Sequence, residues 1–214
     1  MDSIIKLFLR AKHWQLFVVG FVPVIIFYIN TMLNVFGGAY MQNPEDVSFL
    51  FESYRYFGPV MVIVGIVNYG WIWAIGEGLQ SKLPPYVTMN IRRFKWFIGI
   101  PFFYLMLISL IMSYSFWSIF PSFFGGDIQP NVTLIIVAAI VIVPLHLFSL
   151  FAIFYSLYFA AKTVKSVELQ REVIFSDFIA EFFLIWFFPI GVWILQPKLN
   201  KLEEGTDVFH QKTL

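Results

Sequence analysis

The chain has 214 residues, of which 59% are hydrophobic and only 13% charged, with 27 Phe, a formal charge of +1 and a mean hydropathy of +0.78. Soluble domains carry about 25% charged residues, so this composition belongs in a bilayer. The near-neutral charge argues against a nucleic-acid partner, and the absence of Cys excludes disulfides, iron–sulfur clusters, thiol nucleophiles and zinc–thiolate sites.

Residues 1–13 place Ile4, Ile5, Leu7, Phe8 and Leu9 around Lys6 and Arg10, the pattern of a short interfacial helix. The basic residues ahead of an apolar run imitate a signal peptide, but no small-residue cleavage pattern follows, and the segment reads as an uncleaved leader into the first span. Lipid offers no hydrogen-bond partners, so a spanning segment satisfies its backbone as a helix of about 20 apolar residues or as a closed barrel. The apolar runs here are continuous rather than alternating, which rules out barrel strands. Four stretches free of Asp, Glu, Lys and Arg predict membrane helices over 14–34, 57–76, 96–117 and 133–155. The outer connections carry glycine pairs, Gly37-Gly38 and Gly125-Gly126, typical of turns. The spans starting at Trp14 and Trp96 share a weak repeat, a Lys before the Trp and then Gly and Pro.

Beyond the fourth span, residues 159–177 place Lys165, Glu168, Arg171 and Glu172 at helical spacings, predicting a helical extension into the cytoplasm. A fifth apolar stretch, 178–196, contains Glu181 and a Pro189-Ile190-Gly191 break. Lys and Arg collect on the cytoplasmic side of short loops. If this stretch crosses the membrane, ten basic residues lie inside and four outside. If it enters and returns, thirteen of the fourteen lie inside and Arg55 alone outside. The expectation is therefore an all-α polytopic bundle of four transmembrane helices plus a C-terminal re-entrant or interfacial hairpin broken at Pro189 and Gly191, with 197–214 a cytoplasmic tail. The alternative is five transmembrane helices, the last kinked.

Counting about 1.5 Å per residue from the inner boundary sets Asn68, Tyr104 and His146 at one depth, about 12 to 14 Å into the membrane on three helices. They are either interhelical glue or a solute or proton site. Asp177 and Glu181, one turn apart, form a pair of interfacial carboxylates expected to meet Arg171 or the Arg92-Arg93 pair, or else to serve partner docking or ion gating.

The chain contains no phosphate loop, no His-Glu-x-x-His and no Gly-x-Ser-x-Gly elbow, and its three His are dispersed, so neither metal nor cofactor is expected. Ser109, Ser113 and Ser115 with His146 make an arrangement of no specificity.

His13-Trp14-Gln15-Leu16-Phe17 and the C-terminal run through Glu168-Leu169-Gln170-Arg171-Glu172-Val173, Glu181-Phe182-Phe183 and Trp186-Phe187-Phe188-Pro189-Ile190-Gly191-Val192-Trp193 to Gln196-Pro197 resemble a family of small uncharacterised bacterial multi-pass inner-membrane proteins. The resemblance implies a bacterial inner-membrane setting and no catalytic residues. The functional expectation is a non-enzymatic accessory or assembly subunit that meets the lipid bilayer and either other membrane subunits or its own copies. The rival is a small-solute or ion transporter.

Overall fold

A computed structural model describes residues 2–41, 51, 53–124, 126, 129 and 131–204. Every regular element among these is helical, and four helices are long and apolar enough to cross a membrane. In chain order these are α1 (Asp2–Arg10), α2 (His13–Met41), α3 (Phe57–Gly78), α4 (Ile91–Tyr114), a short α5 (Phe120–Phe124), α6 (Val132–Leu169), α7 (Phe175–Trp186) and α8 (Phe188–Glu204). One 3₁₀ turn precedes α3 at Ser53–Tyr56, another follows it at Gln80–Lys82, and a π turn over Ser115–Ile119 links α4 to α5.

The four long helices, α2, α3, α4 and α6, carry the four predicted spans. Their prolines, Pro23, Pro101 and Pro144, lie inside helices that continue past them. Gly37 and Gly38 lie within α2 rather than in a turn, while Gly125, Asp127, the acidic first-loop residues Glu45, Asp46 and Glu52, and residues 205–214 fall outside the described set. At 38 residues, α6 is about 57 Å long, well beyond the ~30 Å hydrocarbon core, so the span and its charged extension form one rod.

The core lies toward the α1 end of the bundle. Trp71, Phe94, Val164, Phe178, Leu195 and Leu199 are fully buried there. In lipid, packing replaces the hydrophobic effect as the force between helices, and it demands close approach. Phe94 stacks on Phe159 with centroids 4.4 Å apart and presses on Gly76 of α3, where any side chain would strike its ring. Away from this end the helices loosen. Only 11% of the most apolar stretch of α2, and the same share of α6, is buried, against 39% for α3.

The fifth apolar stretch is two helices, interrupted at Phe187 rather than at Pro189-Ile190-Gly191. Phe187 serves as the cap: its carbonyl accepts from the amides of Ile190 and Gly191. Pro189 then sits in the first turn of α8, where a helix does not need the amide that proline lacks. Gly191 lies against the main chain of Leu184 so closely that a methyl group there would overlap its carbonyl.

Caps define the other ends. Asn90 opens α4 by accepting from the Arg93 amide at 2.9 Å. Gln170, with φ of 49°, ends α6 in the left-handed region; its carbonyl accepts from the Tyr86 hydroxyl, and its amide donates to the Lys82 carbonyl. Asp177 opens α7 by accepting from the Ile174 amide at 3.1 Å. Val173 and Phe178, at the positions of a hydrophobic staple, are buried in one cluster.

Candidate functional site

Asn68 on α3, Tyr104 on α4 and His146 on α6 line a single cleft of about 560 Å³, together with Tyr69, Ser109 and a largely apolar wall that includes Met61, Met106 and Met112. The Tyr104 hydroxyl stands 3.4 Å from His146 Nδ1 and 3.5 Å from the Ile142 carbonyl, both at the long limit for an O–H hydrogen bond. Asn68 is turned to its own helix and donates to the Val64 carbonyl at 2.9 Å. The three predicted residues thus share a space, but only Tyr104 and His146 approach each other. His146 is exposed on the surface of the single chain, so the cleft opens sideways toward lipid or a neighbour.

Ser109, Ser113 and Ser115 each donate to a main-chain carbonyl, of Met106, Arg55 and Ile111 respectively, which leaves none of them as a nucleophile paired with His146. Among the described residues no group of three His, Asp or Glu is close enough to hold a metal ion.

The carboxylate pair divides. Asp177 meets Arg171 at 3.0 Å, one of the expected partners, and this guanidinium together with the Ile174 amide holds its carboxyl below the usual aspartate range. Glu181 instead takes lysines: Oε1 lies 3.2 Å from Lys165 Nζ and 3.0 Å from Lys198 Nζ. Both ammonium groups also reach Glu168 Oε2, at 3.0 and 2.5 Å. Two carboxylates and two ammonium groups so form a closed square joining α6, α7 and α8. The Glu181 side chain is only 7% exposed, and its second oxygen is buried without a hydrogen bond.

A second polar centre has no counterpart among the predicted sites. Gln196 on α8 is completely buried. Its oxygen accepts from the indole of Trp71 at 2.7 Å, while its amide donates to the carbonyls of Phe8, Leu9 and Ala11 at 2.8, 3.2 and 2.9 Å. Asn200, one turn on, donates to the Leu9 and Ala11 carbonyls. The final carbonyls of a helix lack intrahelical partners, and here two carboxamides from α8 supply them to α1. In the same way Lys82 donates to the Leu202 and Glu203 carbonyls that end α8, and Arg10 stands 3.6 Å from Glu203. The one signal for this centre in the sequence is Gln196 and Asn200, two carboxamides one turn apart at the end of an apolar run.

No family model, no curated protein and no solved structure matches this chain. The arrangement offers a laterally open, largely apolar cleft that holds a few polar groups and no carboxylate, and an ionic square that ties helices together.

Proposed function

We propose that the chain is a non-enzymatic protein of the bacterial inner membrane, an accessory or assembly subunit of a larger complex or homo-oligomer. Four helices span the bilayer, α7 and α8 form a hairpin that enters and returns, and both ends are cytoplasmic. Length supports the hairpin: α7, at 12 residues, is about 18 Å long and α8, at 17, about 25 Å, so neither reaches across ~30 Å of hydrocarbon. Contacts support it too, because Lys198 and Glu203 near the end of α8 meet Glu168, Lys82 and Arg10.

The observation that carries the subunit reading is that His146, exposed on a helix scarcely covered by its own chain, lines a cleft that opens sideways, at a level that residue counting puts about 12 to 14 Å into the membrane. Polar groups at such depth face protein or water rather than acyl chains, so a neighbouring helix is its natural cover. Extraction into lipid nanodiscs followed by native mass spectrometry tests this. The expected species is heavier than one 25.0 kDa chain and loses its partner in His146→Leu. A lone monomer overturns the reading.

One observation favours the transport alternative, namely that Asn68, Tyr104 and His146 line the same cleft. Proteoliposome flux lost in His146→Ala and Asn68→Leu supports it, and unchanged flux removes it.

A further inference from the structure

Between α1, α3 and α4 runs an apolar groove of about 360 Å³, lined by Phe8, Tyr69, Trp73, Ile98, Gly99 and Phe103 among others. From Trp73 up to Ile66 on α3, and from Lys95 to Phe103 on α4, it extends about 10 to 12 Å along the helices. The groove is a gap left by a missing side chain, since a Cβ placed on Gly99 meets nothing within 4 Å.

The mouth of the groove is charged. Lys95 lines both it and an adjoining cavity of about 670 Å³, whose wall also holds Lys6, Lys82, Glu77 and Glu203. These five groups sum to one positive charge. Both carboxylates are engaged, Glu77 by Lys95 at 2.5 Å and by the Trp73 indole, Glu203 by Lys82 and Arg10 at 3.6 Å each. Lys6 has no ion pair among the described residues.

We propose that this composite site binds one anionic glycerophospholipid from the leaflet that holds α1, with an acyl chain in the groove and the phosphodiester at Lys6 and Lys95. An apolar trough that ends in a cationic mouth at the interface matches the two halves of such a molecule. Basic residues at that level attract anionic headgroups. The site goes beyond the subunit reading and does not depend on it.

Native mass spectrometry of the detergent-solubilised chain tests the proposal, with phosphatidylglycerol and phosphatidylcholine of identical acyl chains as probes. One phosphatidylglycerol per chain is expected to be retained, at least tenfold more tightly than phosphatidylcholine. Gly99→Phe and the milder Gly99→Leu fill the groove without meeting protein atoms at Cβ, and are expected to lower retention of both lipids about tenfold. Lys6→Glu is expected to abolish the preference for phosphatidylglycerol while leaving phosphatidylcholine unaffected. Leu107→Phe, exposed on α4 outside the groove, is the control and changes neither. Equal retention of the two lipids by the parent chain overturns the headgroup assignment, and parental retention by both folded Gly99 variants overturns the groove.

Discussion

Replacing Gln196 with Leu tests how the interfacial helix is held. The side chain is fully buried and makes four hydrogen bonds, one from the Trp71 indole and three to carbonyls at the end of α1. Leu fills a similar volume but bonds to none of them. The Leu9 and Ala11 carbonyls keep Asn200 as a donor, so two groups are orphaned, the Trp71 indole N–H and the Phe8 carbonyl. A buried group left without its partner costs about 1 to 3 kcal/mol, and membrane hydrogen bonds lie near the low end, which places the loss at about 2 kcal/mol. Of the two orphaned groups only the Phe8 carbonyl belongs to α1, so about half of this loss, about 1 kcal/mol, falls on the docking equilibrium of α1 and shifts it by about fivefold. The chain has no native Cys, so a single Leu9→Cys, at a position 1% exposed, reports undocking through its rate of maleimide labelling. Labelling should accelerate by about that factor in Gln196→Leu, while a Cys in place of the buried Val164 on α6 should not change. An unchanged rate at position 9 refutes the claim that the carboxamide anchors α1.

Gly191→Ala should destabilise the chain by about 1 to 3 kcal/mol through overlap with the Leu184 carbonyl, whereas Pro189→Ala, in a first turn that needs no donor, should cost less than half as much; melting in detergent compares the two. Lys198→Leu leaves Glu181 with one ammonium instead of two, so Lys198→Leu with Glu181→Leu should recover part of the single-variant loss, a coupling of about 0.5 to 3 kcal/mol in a double-mutant cycle. Because the Asp177 carboxyl is held below its usual range, its contribution is complete above the ordinary aspartate value of about 3.9 and disappears as the pH falls through the lower folded value. The protection of the amides in the first turn of α7, taken relative to intrinsic exchange at each pH, should therefore fall on acidification in that range, and Asp177→Asn should remove the dependence.

The four helices long and apolar enough to cross a membrane were legible because lipid requires about 20 uncharged residues per helix, and such runs are visible without any tertiary information. The Arg171–Asp177 pair was legible because both partners sit in one short connection. Glu181 pairs with Lys165 and Lys198 rather than with an arginine, because Lys198, 17 residues ahead, is brought to it by the packing of α8 on α7, which spacing along the chain does not display. The interruption lies two residues before Pro189 because proline is tolerated in a first helical turn, a rule that here outweighs its helix-breaking character. The role of Gln196 is illegible for a different reason. Its partners are main-chain carbonyls and an indole more than a hundred residues away, and carbonyls leave no mark in a sequence. The cleft was half legible: counting along the helices groups Asn68, Tyr104 and His146, but helix rotation, which decides that Asn68 bonds to its own helix, is set by packing.

The account rests on α8 returning to the face of the membrane that carries α1. Single cysteines at Lys6, Gln129 and Lys201, probed in intact cells with a membrane-impermeant maleimide, measure this directly. Positions 6 and 201 should both be protected until the membrane is opened, while position 129 labels at once. Labelling of position 201 together with position 129 would contradict the return of the chain.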